Sequence, residues 1–111
     1  MINYQKQKHC IAEMRSVLKS PIKSLRLLCE LKNKKATTFE FVGYLNYYLH
    51  FAHQDIYSCV VGRNTGVVIK SYLNECWHYG FVNDTQKAIL MCAANIIDKL
   101  IKRYYLIYIF L

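Results

Sequence analysis

The chain has 111 residues, 54% of them hydrophobic, and a formal net charge of +8. This apolar content excludes a disordered chain, and one proline with four glycines is too little turn-forming material for an all-β fold. We therefore expect a single helical domain over residues 1–111, an all-α fold built as a compact bundle of four to five helices.

The first predicted helix covers residues 4–19. Its apolar residues recur at the spacing of one helical face, and charged residues occupy the opposite face. The inward face is predicted to consist of Ile11, Met14 and Leu18, with Cys10 and Val17 flanking it.

The second predicted helix starts at the sequence "SPIK", where Ser20 is the N-cap and Pro21 the first helical residue. It is expected to end near Asn33, in the polar connector "KNKKA". With the first helix it forms a basic helical pair, residues 1–35, which holds nine basic and two acidic residues. The predicted inward residues are Ile22, Leu25, Leu28 and Cys29.

The third predicted helix covers residues 38–60 and starts with a capping box, in which Thr37 pairs with Glu40. Its inward stripe is predicted to be Phe41, Leu45, Leu49, Ala52, Ile56 and Cys59. A second face carries Tyr44, Tyr47, His50, Phe51 and Tyr57. This second face either packs against another helix or meets a partner, and the pattern leaves both alternatives open.

The loop "GRNTG", residues 62–66, ends the third helix, and a shorter helix follows over residues 67–80. The last predicted helix starts after "VNDT", with Asn83 or Asp84 as N-cap, and runs from 85 to at least 105. These three helices are the predicted core helices, residues 37–105. The last one is predicted to bury Ile89, Cys92, Ala93, Ile96, Leu100 and Ile101, and to expose Lys87, Asp98, Lys99 and Lys102.

Five cysteines and four histidines raise the question of a metal site. At 100° per residue, His50 lies about 180° around its helix from Cys59, and His78 about 160° from Cys76. A tetrahedral site cannot collect side chains that point to opposite sides of a helix, so we predict neither a metal site nor a cofactor.

The cysteines are odd in number and none has the CxxC spacing, and "MINYQKQKHC" lacks the apolar segment of a signal peptide. These features predict reduced thiols and a cytoplasmic location. The chain also contains no glycine-rich phosphate loop, no GxSxG motif and no carboxylate cluster. We therefore predict that the protein is not an enzyme and has no catalytic residues.

The apolar tail "YYLIYIFL", residues 104–111, is too short to span a bilayer, which needs about 20 helical residues. An integral membrane protein is therefore not expected. Peripheral membrane contact stays open, with Lys99, Lys102 and Arg103 near the lipid headgroups. Packing of the tail on the domain or on a partner, as helix or strand, is the other alternative.

The predicted function is that of a small non-enzymatic protein-binding module. Its partner is expected to be a protein with an acidic or a nucleic-acid-binding surface. Binding is assigned to a basic face, formed by Lys6, Lys8, Arg15, Lys19, Lys23 and Arg26, and to the aromatic anchors Tyr47, Phe51 and Trp77 with His50.

The composition also favours a source. Ile, Lys, Tyr and Asn, which have AT-rich codons, make up 39 of the 111 residues. This usage is typical of a phage- or plasmid-encoded accessory protein. Such a protein would act in the cytoplasm of the host cell and inhibit or modulate a host protein, for example one that processes nucleic acid.

Two further functions stay open. Direct nucleic-acid binding is the alternative, because the basic N-terminal helices could neutralise phosphates. Lysine outnumbers arginine 11 to 4, which suits diffuse phosphate contact better than base readout. A third hypothesis is a helical immunity-type protein that protects its producer from a bacteriocin, with the apolar tail at the membrane surface.

Overall fold

Capping residues determine where two of the helices begin. In the computed structural model, the Ser20 hydroxyl accepts a hydrogen bond from the backbone N–H of Lys23 at 3.4 Å, and Pro21 is the first helical residue. The Asn83 side chain accepts from the backbone N–H of Gln86 at 2.8 Å, and the Gln86 side chain accepts from the backbone N–H of Asn83 at 3.1 Å. The N-caps predicted at Ser20 and Asn83 are confirmed, and the reciprocal pair at Asn83 is a capping box.

The structure describes residues 4–33, 40–51 and 63–110. Over these ranges the fold is an all-α bundle without strands, as the composition predicts. The predicted pairing of Thr37 with Glu40 and the predicted helix beyond residue 51 lie outside the described residues. The helices are α1 (Tyr4–Leu18), α2 (Pro21–Lys32), α3 (Glu40–Phe51), α4 (Thr65–His78), α5 (Asp84–Arg103) and the short α6 (Tyr105–Tyr108).

The central helix of the bundle is α5, which packs against α1, α2, α3 and α4. At 100° per residue its buried side chains cover about 160° of its circumference, a wider arc than one neighbouring helix requires. The buried residues of α1 and α2 belong to the same core as those of α3, α4 and α5. The buried residues of α5 are Leu90, Ala93, Ala94, Ile96, Ile97, Leu100 and Ile101.

The helices α4 and α5 run antiparallel. Gly66 at the start of α4 lies against Asp98 in the second half of α5, and Trp77 near the end of α4 bonds Asp84 at the start of α5. The connection between them starts at Gly80, whose φ of +82° is a left-handed conformation that favours glycine.

The end of α4 is a Schellman motif. The backbone N–H of Phe81 donates to the carbonyl of Cys76 at 2.8 Å, and that of Gly80 donates to the carbonyl of Trp77 at 3.1 Å. These bonds satisfy carbonyls that a helix end otherwise leaves unpaired. The prediction that this helix ends at Gly80 is therefore confirmed, because Gly80 is the left-handed residue of the motif.

Asp98 faces α4, so its predicted exposure is wrong. One carboxylate oxygen pairs with Nζ of Lys102 at 3.0 Å, and the other is buried with no hydrogen-bond partner among the described residues. The side chain occupies the space that Gly66 leaves empty on α4. The nearby first turn of α4 carries a partial positive charge, which favours a carboxylate there.

The predicted inward face of α2 is also wrong in part, because Ile22 is 72% exposed and Ser24 is buried. The Ser24 hydroxyl donates to the carbonyl of Val17 at 2.7 Å, which satisfies the polar group where α2 folds back on α1. Of the other predicted residues, Leu28 is buried, and Leu25 and Cys29 are half-buried. The observed inward residues of α2 are Ser24, Leu27, Leu28 and Leu31.

The inward residues predicted for α1 and α3 are confirmed wherever the structure describes them. On α1, Leu18 is half-buried and the other four predicted residues are buried. On α3, Leu45 and Leu49 are buried, and the remaining stripe residues lie outside the described side chains. The ring of Tyr48 is an additional buried group, and its carbonyl accepts a hydrogen bond from the Cys76 thiol at 3.0 Å.

The chain bends at Tyr104, so the predicted uninterrupted helix to residue 105 is wrong. Tyr104 has φ −115° and ψ 25°, which ends α5 at Arg103. Beyond this bend, α6 packs against α2 and buries Tyr108. The tail is therefore one helical turn folded onto the bundle.

Candidate partner-binding groove

A cationic groove lies between α1 and α5. Nη2 of Arg15 donates to Sγ of Cys92 at 3.1 Å, which links the two helices at the surface. Beside this contact is a cavity of about 410 Å³ with apolar and cationic walls. The cavity is lined by Lys8, Ile11, Arg15, Ala88, Ile89 and Cys92.

The groove continues towards the C-terminal ends of both helices. Nη1 of Arg103 donates to the carbonyl of Leu18 at 2.8 Å, so the end of α5 also contacts the end of α1. At 100° per residue, Lys99 and Arg103 lie within about 20° of Cys92 on α5. On α1, Lys8 and Arg15 lie within about 20° of each other. We define the α1–α5 groove by the cavity-lining Lys8, Arg15, Ile89 and Cys92, together with Lys99 and Arg103 on the same side of α5.

The described acidic side chains of α1 and α5 point away from the groove. Glu13 lies about 160° around α1 from Arg15. Asp84 bonds Trp77, and Asp98 lies against Gly66, so both face α4. These three carboxylates therefore do not line the cavity, and the cations of the groove produce a positive potential there.

The structure brings together two of the six residues predicted for the basic face, namely Lys8 and Arg15. Lys19 is exposed in the turn that follows α1. Lys6 is exposed but lies about 160° from Lys8, on the other flank of α1. Lys23 and Arg26 are exposed on α2, Lys23 beside its buried residues and Arg26 opposite them. Sequence reasoning missed Lys99 and Arg103, although their spacing of seven and eleven residues from Cys92 places all three on one side of α5.

Trp77 is a fixed, partly exposed ring. Its Nε1 donates to Oδ1 of Asp84 at 2.6 Å, and Nζ of Lys87 lies 3.9 Å from the centre of the ring. A surface hollow of about 420 Å³ lies beside it. The hollow is lined by Ser71, Asn74, Glu75, Trp77, His78 and Tyr79.

The other predicted aromatic anchor that the structure describes is Tyr47. It is half exposed on α3, and its ring makes an edge-to-face contact with Tyr48 at 5.6 Å. The side chains of Phe51 and His50 lie outside the described residues. Cys76 contacts α3 whereas Trp77, about 100° farther around α4, contacts α5. Trp77 therefore contacts α5 and not α3, the helix that carries Tyr47.

The thiols differ in their surroundings. Cys10 and Cys76 are buried, and burial raises the pKa of Cys76 from 9.0 to about 11, which keeps it protonated at neutral pH. Cys29 and Cys92 are half-buried. The predicted orientation of Cys76 inward and His78 outward is confirmed. Within residues 4–33, 40–51 and 63–110, no three His, Cys, Asp or Glu side chains converge as metal ligands would.

The tail presents a second surface. Leu106, Ile107, Ile109 and Phe110 are exposed, and we name these four residues the apolar turn. Nζ of Lys32 donates to the carbonyl of Tyr108 at 2.6 Å and lies 5.0 Å from the centre of that ring. The guanidinium of Arg63 lies 4.5 Å from the centre of the Tyr105 ring. A cation of α2 and one of the segment before α4 thus contact the two tyrosines of α6, Tyr108 and Tyr105.

None of the described helices combines the length and the hydropathy needed to cross a membrane. Comparison of the chain with protein-family models, with curated proteins and with solved structures gave no match.

Proposed function

We propose that this protein is a non-enzymatic binding module that takes an acidic segment of another protein into the α1–α5 groove. The observation that carries the proposal is the combination of cations with an apolar floor. Lys8 and Arg15 border a cavity whose floor includes Ile11 and Ile89. A segment with a carboxylate next to an apolar side chain complements both parts of this cavity.

The charge distribution supports an acidic partner. Lys8 and Arg15 line the cavity, Lys99 and Arg103 lie on the same side of α5, and the whole chain carries a net charge of +8. Such a potential accelerates association with an acidic surface and makes it sensitive to salt. While its acidic segment is bound in the groove, the partner protein would be inhibited or modulated.

The same groove is less suited to nucleic acid. Single-stranded nucleic acid is typically bound by cations together with aromatic rings that stack on bases. Tyr47 and Trp77 make their described contacts with Tyr48 on α3 and with Asp84 and Lys87 at the start of α5, and neither lines the groove cavity. The side chains of Ile11 and Ile89 on the cavity floor have no hydrogen-bond donor for a phosphate, but they can pack against an aliphatic side chain.

The proposal is tested with defined probes. One fluorescent peptide contains Glu and Leu at the spacing of one helical face, and a second peptide of equal charge has Ser in place of Leu. Duplex and single-stranded oligonucleotides are titrated in parallel at low and high salt. We expect the Glu/Leu peptide to bind at least about tenfold more tightly than the Glu/Ser peptide, because its leucines lose water contact on the groove floor.

Two matched double variants locate the binding site. Lys8→Glu with Arg15→Glu reverses two groove charges, and Lys6→Glu with Lys23→Glu makes the same charge change outside the groove. We expect the groove variant to lose at least about tenfold in affinity and the control variant to lose much less. Equal losses in both variants would contradict the assignment. Tighter binding of oligonucleotides than of peptide, with affinity falling linearly on a log-log salt plot, would establish the nucleic-acid alternative instead.

A further inference from the structure

The apolar turn is an unusual surface for a helical bundle. Phe110 is 86% exposed and Leu106 is 69% exposed, and Ile107 and Ile109 beside them are also exposed. Exposed apolar side chains that are scattered singly need no explanation, but contiguous ones mark an interaction surface. These four lie within five consecutive residues of one helical turn and the residues that follow it.

The turn is held in a fixed shape before any partner arrives. The backbone N–H groups of Tyr108, Ile109 and Phe110 donate to the carbonyls of Tyr104, Tyr105 and Ile107, at 2.8, 3.0 and 3.1 Å respectively. The buried ring of Tyr108 anchors the turn on α2. Tyr108 points inward, and its two neighbours in the chain, Ile107 and Ile109, are exposed to solvent. A surface that is already ordered binds without the entropic cost of ordering a flexible tail.

The cations beside this turn indicate what it binds. Lys32 and Arg63 contact the rings of Tyr108 and Tyr105, and both cations lie next to the exposed apolar residues. We propose that the apolar turn inserts into the surface of an anionic lipid bilayer. In this arrangement the four apolar side chains enter the boundary between headgroups and acyl chains, and Lys32 and Arg63 contact the anionic headgroups.

Charge complementarity favours a lipid surface over a second copy of this chain. Two copies that met through the apolar turn would bring Lys32 and Arg63 of each copy close together, and like charges repel. An anionic membrane supplies the opposite charge at the same place, worth about 1 kcal/mol for each cation near the surface. Because this surface does not include Lys8, Arg15 or Cys92, the inference is independent of the proposed groove function.

The test is co-sedimentation of the full chain with vesicles of phosphatidylcholine, alone or mixed with phosphatidylserine. We expect binding to the mixed vesicles and much weaker binding to phosphatidylcholine alone. Leu106→Ser combined with Phe110→Ser should lower the affinity by at least about tenfold, because both side chains leave the lipid. Arg63→Gln should lower it about fivefold, and only for the mixed vesicles.

Tyr79→Ser is the matched control, because Tyr79 is also 69% exposed but follows α4, near the start of α5 and away from the apolar turn. Circular dichroism establishes that each variant keeps the helical content of the unaltered protein. The inference is wrong if the unaltered protein stays in the supernatant with both vesicles, or if Tyr79→Ser releases it as strongly as the double variant. It is also wrong if analytical ultracentrifugation shows a dimer that the double variant abolishes, because a second copy would then cover the turn.

Discussion

The backbone of Gly66 lies directly against the side chain of Asp98, and a Cβ built on Gly66 would overlap that carboxylate. Because Asp98 is tethered to Lys102 and has one buried oxygen, it has little freedom to move aside. The approach of α4 to α5 thus depends on a glycine at this position.

The first prediction concerns the two helical glycines Gly66 and Gly43. Gly66→Ala should lower the free energy of unfolding by about 1–3 kcal/mol, the usual cost of overpacking. Gly43→Ala is the matched control, because an added Cβ there meets nothing within 4 Å and alanine is a better helix former. It should raise the free energy of unfolding by about 0.5–1 kcal/mol. Urea unfolding followed by circular dichroism measures both, and equal effects of the two substitutions would refute the close contact.

The second prediction concerns the buried amide of Gln7. Neither Nε2 nor Oε1 of Gln7 has a hydrogen-bond partner among the described residues, and the side chain is fully buried. Burial raises the pKa of Tyr48, and the neighbouring Gln7 side chain acts in the opposite direction with a smaller effect. Gln7→Met should therefore stabilise the fold by about 1–2 kcal/mol.

Thermal and urea unfolding measure the effect of Gln7→Met. Gln5→Met on the exposed side of α1 is the control and should change the free energy of unfolding by less than about 0.5 kcal/mol. A loss of stability in Gln7→Met would mean that the amide has a partner in solution.

The third prediction compares two asparagines at helix starts. Asn83 caps α5 through its side chain, whereas Asn64 precedes α4 and its side chain makes no capping bond. Asn83→Ala should lower the free energy of unfolding by about 1 kcal/mol, and Asn64→Ala should change it by much less. Urea titrations of the two variants check this difference, and a similar cost at both sites would count against the role of the capping box.

The fourth prediction concerns alkaline pH. Burial raises the pKa of the Cys76 thiol from 9.0 to about 11, so the folded protein holds this proton more tightly than the unfolded chain does. The associated stability is present in full below pH 9 and is lost as the pH rises from 9 to about 11. The loss from Cys76 is on the order of 2 kcal/mol. Burial also raises the pKa values of Tyr48 and Tyr108 above 10.0, which extends the loss in the same direction.

Urea titrations across this pH range measure the effect. Cys76→Ala should flatten the decline between pH 9 and pH 11, and Cys29→Ala, at a half-buried thiol, is the control. If the free energy of unfolding of Cys76→Ala falls with pH as steeply as that of the unaltered protein, groups other than Cys76 cause the decline.

Features that depend on neighbours in the chain could be predicted from the sequence. Ser20, Pro21 and Asn83 act through bonds to residues within three or four positions, so their residue types alone indicate a helix start. Gly80 ends α4 for the same local reason. The apolar stripe of α1 was also predictable because it packs on the core along its whole length.

Features that depend on a distant helix could not be predicted in the same way. Ser24 can be buried because its hydroxyl donates a hydrogen bond to the carbonyl of Val17. Asp98 is half-buried because Gly66, which has no side chain, leaves room for it. The candidate groove has the same origin, since Lys99 and Arg103 join Arg15 only when α5 lies beside α1. A helical pattern gives the direction of a side chain but not the element that it meets.

The contacts of Trp77 make it a spectroscopic reporter. It is the single tryptophan of the chain, its indole N–H is bonded to Asp84, and the ammonium of Lys87 lies over its ring. A nearby ammonium and a fixed hydrogen bond both affect indole emission, and both disappear when α4 separates from α5. Intrinsic fluorescence therefore follows the docking of this one helix pair, whereas circular dichroism follows all the helices. Where the two signals diverge during unfolding, the α4–α5 pair opens at a different stage from the rest of the bundle.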